Sequence, residues 1–102
     1  MSGKYKATLT VKGNLIDLTG FPEEYIAKTL AGAVSSLKKT EEIKNLELTM
    51  SYGKVKLNLN GHQVALGPFP TLMIANTLIG MVSTLKGVEG KVTNLEIKME
   101  AV

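Results

Sequence analysis

The chain has 102 residues, no cysteine and a net charge of +3, which excludes disulfides, thiolate zinc sites and cysteine nucleophiles. Hydrophobic residues make up 44% and charged residues 21%, a globular balance that argues against disorder. The mild positive charge permits nucleic-acid binding without arguing for it, because dedicated binders cluster their basic residues on one face.

The first element is an alternating segment from Lys4 to Lys12. Tyr5, Ala7, Leu9 and Val11 point one way, while Lys4, Lys6, Thr8, Thr10 and Lys12 point the other, the period of a strand with one buried face. A turn at Gly13-Asn14 would pair Lys12 with Leu15 and set Leu9 across from Leu18, keeping Ile16 and Leu18 inward. Phe21-Pro22-Glu23-Glu24 then opens a helix, with proline in its first turn and carboxylates at the positive end. Ile26, Leu30, Ala33, Val34 and Leu37 recur at helical spacing up to about Lys39. A third strand follows, with Leu46, Leu48 and Met50 inward.

The chain then repeats itself. Lys6, Leu9, Gly13 and Phe21-Pro22 recur as Lys54, Leu57, Gly61 and Phe69-Pro70, a shift of 48 positions. Asn45-Leu46-Glu47 recurs as Asn94-Leu95-Glu96, one residue later still. The second copy turns at Gly61-His62, with Leu59 facing Val64. It starts a helix at Pro70 that carries Ile74, Leu78, Met81, Val82 and Leu85, stops it at Gly87, and ends in a strand with Leu95, Ile97 and Met99 inward. Such internal similarity sets an architecture. The expected fold is α+β: a tandem duplication of a β-β-α-β unit, residues 4–50 and 52–99, in one domain. Its six-stranded, mainly antiparallel sheet carries two helices on one face about a pseudo-twofold. Halves of roughly 50 residues rarely sustain a core alone, so they share one. Within each unit a helix crossover makes the second and third strands parallel, with the first strand between them. A competing arrangement closes a tight hairpin at Ser51-Tyr52 and pairs Glu47 with Lys56.

Catalytic signals are poor. The single histidine, His62, falls at a hairpin tip, Asp17 is the only aspartate, and adjacent carboxylates such as Glu23-Glu24 do not face each other on a helix. No phosphate-binding loop, dinucleotide fingerprint or metal-ligand spacing is present, so no cofactor or metal is expected. No secretory signal and no apolar run near 18 residues is seen, which reads as cytoplasmic and without a membrane span. Met50, Met81, Met99 and Phe69 would line a small-ligand pocket between the repeats, although methionine commonly serves as core filler.

Two surfaces remain. The outward sheet face carries Lys4, Lys6, Lys12, Lys54, Lys56 and Lys98, a platform for nucleic acid, but it lacks the aromatic side chains on which single-strand readers stack bases. Asp17, Glu47, Glu96 and Glu100 share that face and cancel much of its charge. Val11-Lys12-Gly13-Asn14, Gly20 and the glutamate-rich helix start resemble the repeats of the ribosomal large-subunit protein built from two tandem β-β-α-β units. What that resemblance implies is a similar fold and RNA binding, although the long insertions and basic extensions expected there are lacking.

The second surface is the second helix, which has no charged residue from Thr71 to Leu85, whereas the first carries Glu23, Glu24 and Lys28. Leu72 and Ile79 widen its apolar arc beyond what a surface helix needs; their counterparts in the first copy are Glu24 and Ala31. The remaining side, with Met73, Thr77, Gly80 and Thr84, is small and uncharged. Either the sister helix or a second subunit covers it, and the second subunit is the expectation. The functional reading is therefore a non-enzymatic structural or interaction protein that forms homo-oligomers, a dimer being favoured. Nucleic-acid binding through the lysines, or small-ligand binding, is the alternative.

Overall fold

The computed structural model describes residues 5–37 and 42–102; Lys4, Lys38 and Lys39 lie outside them. In chain order the elements are β1 (Tyr5–Val11), β2 (Asn14–Ile16), α1 (Phe21–Leu37), β3 (Asn45–Ser51), β4 (Lys54–Leu59), β5 (His62–Val64), α2 (Pro68–Val82) and β6 (Asn94–Ala101). The strands form one six-stranded sheet in the order β2-β1-β6-β3-β4-β5, and every neighbouring pair is antiparallel. The fold is α+β, as expected.

Three hairpins organise the sheet, each closed by two left-handed residues: Lys12-Gly13 (φ 52° and 83°), Tyr52-Gly53 (49° and 82°) and Asn60-Gly61 (53° and 86°). This is the turn whose twist matches that of the flanking strands, and it requires φ above zero at both central positions. Glycine therefore takes the second position. The expected turns at Gly13-Asn14 and Gly61-His62 are each displaced by one residue, so Leu9 faces Ile16 and Leu57 faces Val64. His62 is the first residue of β5, opposite Leu59, rather than a hairpin tip. Each register moves by two residues, an even number, so every side chain keeps its expected face.

The strand order departs from the favoured arrangement, in which β1 separated the other two strands of its own repeat. β1 instead pairs with β6, and β3 pairs with β4. The reason is the length of one loop. In the favoured order β4 would run parallel to β3 with β6 between them, and a parallel connection needs about a dozen residues or more; Tyr52-Gly53 supplies two. The competing hairpin is the one that forms, with Glu47 opposite Asn58 and Lys56 opposite Thr49. Consequently β2 and β3 are not parallel, and α1 carries the chain across three strand positions, about 14 Å of sheet.

The inward residues are those expected: Ala7, Leu9, Val11, Leu46, Leu48, Met50, Leu95, Ile97 and Met99 are all buried. They form one cluster with Ile26, Leu30 and Val34 of α1 and Ile74, Leu78 and Val82 of α2. Among the described residues no polar or charged side chain is buried. Helix α2 starts at Pro68, two residues earlier than expected, since both prolines fit a first turn whose N–H groups need no partner. It ends at Val82, before Leu85, where Leu85 N–H bonds Val82 O and Thr84 Oγ1–H bonds Met81 O at 2.8 Å, tightening the chain out of α-geometry. Among the described residues no helix is long and apolar enough to cross a membrane.

Tyr52 is left-handed and 76% exposed, so its side chain offers little packing to offset the conformational cost. Tyr52→Asn is expected to raise stability by about 1 kcal/mol, seen as a higher urea midpoint at unchanged slope. A lower midpoint would mean that the tyrosine ring contributes packing.

Candidate functional site

The two helices lie side by side over the sheet and run in opposite senses. The start of α1 meets the end of α2 in one groove of about 270 Å³, lined by Phe21, Pro22, Tyr25 and Ile26 against Met81, Thr84 and Leu85. The end of α1 meets the start of α2 in a second groove of about 290 Å³, lined by Ala33, Ser36 and Leu37 against Phe69, Pro70, Met73, Ile74 and Thr77. The molecule's shortest dimension is 19 Å, room for a sheet and one helix layer about 10 Å apart but no third layer. The outer side of both helices therefore faces solvent.

Large apolar side chains are exposed at opposite ends of the helix layer, one set at the start of each helix. Phe69 is 69% exposed, Leu72 58% and Met73 54% on α2, with Phe21 75% and Tyr25 51% on α1. The Phe21 and Tyr25 rings stack on each other, centroids 5.4 Å apart. Of the other candidates on α2, Thr77 and Gly80 are exposed, and so is Thr84 just beyond its end; Thr77 Oγ1–H is turned back onto Met73 O at 2.8 Å. Ile79 packs against the core cluster and is half-buried, so it contributes less to the exposed arc than its wheel position suggested. Phe21 and Tyr25 were not singled out from the sequence, and Phe69 was singled out only as the lining of a small-ligand pocket. Their signal was the Phe-Pro pair repeated in both copies, read only as a helix start.

The lysine candidates separate. Lys6, Lys54, Lys56 and Lys98 are exposed on the outward sheet face, whereas Lys12 belongs to the first hairpin turn. A shallow concavity of about 600 Å³ on this face is lined by Lys6, Thr8, Asn45, Glu47, Lys98 and Glu100 among others. Lys6 is directly opposite Glu100, and Lys98 opposite Glu47. Lys54 and Lys56 instead stand opposite Ser51 and Thr49, so among the described residues two of the four lysines on this face have a carboxylate directly across the strands.

The groups that could serve chemistry are dispersed or engaged. Asp17 Oδ1 accepts from Thr19 Oγ1 at 2.6 Å and Thr19 N at 2.9 Å, and these bonds, the hydroxyl foremost, hold its carboxyl below the usual range. A carboxyl of lowered pKa supports the fold above its ordinary range and loses that contribution as pH falls through its folded value. His62 is exposed on β5. Met50 and Met99 are buried in the core, while Met81 and Phe69 line different grooves, so these four residues do not meet in one pocket. Among the described residues no group of three or more histidine, aspartate or glutamate side chains could hold a metal ion. Compared with known protein families, curated proteins and solved structures, the chain matches none of them.

One carboxylate does specific structural work. β2 pairs with β1 only at Leu9, Thr10 and Val11, and beyond that reach Glu23 Oε2 accepts the Ala7 N–H at 2.9 Å. The first turn of α1 thereby continues the ladder where the edge strand ends. Glu23→Ala is expected to lower stability by about 1–2 kcal/mol and to speed amide exchange at Ala7, while Glu23→Gln, which keeps an acceptor oxygen, recovers most of the loss. Equal effects of the two variants would assign the loss to helix-end charge instead.

Proposed function

We propose that this protein is a non-enzymatic interaction protein that self-associates through its helix layer, its partner being a second copy of the same chain. The observation that carries the proposal is the exposed apolar patch of Phe69, Leu72 and Met73 at the start of α2, with Phe21 and Tyr25 of α1 exposed at the opposite end of the helix layer. A twofold contact places a surface against itself, so a patch with charge of one sign would meet its own repulsion. α2 has no charged residue, whereas α1 carries Glu24 and Lys28 paired at 2.7 Å on its surface. The patch is therefore suited to meeting its own copy, with α2 against α2.

Area decides how much of the layer is needed. An α-helix of 15 residues is about 22 Å long and about 10 Å wide, so α2 alone covers roughly 220 Å² per partner. A specific interface buries about 500 Å² or more per partner. The adjoining residues of α1 and both grooves must therefore join, Ala33, Ser36 and Leu37 beside the start of α2 and Phe21 and Tyr25 beside its end.

Internal symmetry supports the same reading, with the chain as a tandem duplication about a pseudo-twofold. Leu48 pairs with Ile97, residues that the repeat comparison equates at a shift of 49. Leu9 opposite Ile97 matches Leu57 opposite Leu48. At a shift of 48 the lining of the first groove becomes that of the second, Phe21, Pro22, Tyr25 and Ile26 going to Phe69, Pro70, Met73 and Ile74. Two repeats with equivalent grooves but unequal helix surfaces, Glu24 against Leu72, fit a duplicated fold in which one helix has been specialised for contact.

Light scattering on the unmodified protein is expected to give a dimer at high micromolar concentration. Leu72→Lys with Met73→Lys should give a folded monomer, because each buried side chain contributes about 1.5–3 kcal/mol and both positions are exposed in the single chain. Lys56→Glu, on the opposite face, should leave assembly intact. A wild-type monomer at that concentration, or a monomer that instead retains nucleic acid at low salt, would overturn the proposal.

A further inference from the structure

Asn60 is the one asparagine followed by glycine, and its side chain is a clasp. Its Oδ1 accepts from Lys44 N at 2.8 Å and Asn45 N at 3.0 Å, and its Nδ2 donates to Glu42 O at 2.7 Å. The third hairpin turn thus holds the segment leading into β3 by one side-chain amide that both accepts and donates, beside the Asn60 N–H bond to Asn45 O at 2.9 Å. An Asn-Gly pair is also the most reactive context for deamidation, because no side chain on the following residue hinders its nitrogen.

We propose that Asn60 is a deamidation site latched by the fold, silent while the clasp is closed and reactive when it opens. In the reaction the Gly61 nitrogen attacks Asn60 Cγ, the Gly61 N–H proton is lost, and the Cγ–Nδ2 bond breaks to release ammonia. Water then opens the resulting five-membered imide at either carbonyl, giving aspartate or isoaspartate. Ring closure needs Cβ and the Gly61 nitrogen nearly eclipsed about the Cα–C bond. Asn60 has φ 53°, and the left-handed conformation brings Cβ close to its own carbonyl oxygen, which turns the Gly61 nitrogen to the far side. The hydrogen bonds hold Cγ there as well. Both restraints vanish when the turn unfolds.

The product does not fit the clasp. Aspartate keeps the oxygen facing the amides of Lys44 and Asn45 but replaces the donor facing Glu42 O with another acceptor, and isoaspartate lengthens the turn backbone by a methylene. Deamidation would therefore be a one-way covalent record of opening, and a chain that opens once becomes easier to open again.

The full-length protein should be held at mildly alkaline pH, folded in one sample and in urea in another, with deamidation at Asn60 followed by mass spectrometry and isoaspartate by peptide mapping. The unfolded chain is expected to react faster by about tenfold or more, the suppression reporting the opening equilibrium. Asn60→Asp is expected to fold with a lower urea midpoint than the parent protein. Equal rates in the two samples would overturn the latch, and an unchanged midpoint for Asn60→Asp would overturn the role of the donated hydrogen bond.

Discussion

The two-residue turn at Tyr52-Gly53 is the constraint on which the rest of the structure depends. A connection that short can join only adjacent antiparallel strands, so β4 must flank β3. β6 then takes the other side of β3, pairing from Asn45↔Glu100 to Ser51↔Asn94, and β1 completes the far side of β6. The central pair of the sheet is thus made of the last strand of each half. Neither half contains the neighbours of its own third strand, which is the structural form of the statement that roughly 50 residues rarely hold a core alone.

The same exchange shapes the surfaces. Each helix must travel from an outer strand to the middle of the sheet, and the pair lie antiparallel with a groove at either end. Their inner sides close the core through Ile26, Leu30 and Val34 and through Ile74, Leu78 and Val82. Their outer sides differ, an ion pair on α1 and an uncharged apolar strip on α2. On the opposite side of the sheet, Lys6 faces Glu100 and Lys98 faces Glu47 across the strands, which suits a solvated surface more than a phosphate track.

Much of this was legible in the residues. Period-two alternation named the inward strand residues from Ala7 to Met99, Val55 excepted, because the face of a strand survives any even slip in register. Turn position was less legible: glycine alone does not say whether it takes the first or second central position, and only the twist of the paired strands decides. Strand order was misjudged because repeat units invite pairing within themselves, whereas loop length governs. At the candidate surface, the wheel identified Leu72 and Met73 but overstated Ile79, which leans onto the core. It passed over Phe21, Tyr25 and Phe69, whose exposure depends on how a second helix lies alongside, a distance that no single helix encodes.

The central claim is that the outer side of α2 meets its own copy. The most direct measurement is an isotope-filtered nuclear Overhauser experiment on a mixture of labelled and unlabelled chains at high micromolar concentration. The account predicts intermolecular contacts from the methyl groups of Leu72 and Met73 to aromatic protons of the partner chain. Absence of such contacts, or intermolecular contacts confined to the lysine-bearing sheet face, would contradict it.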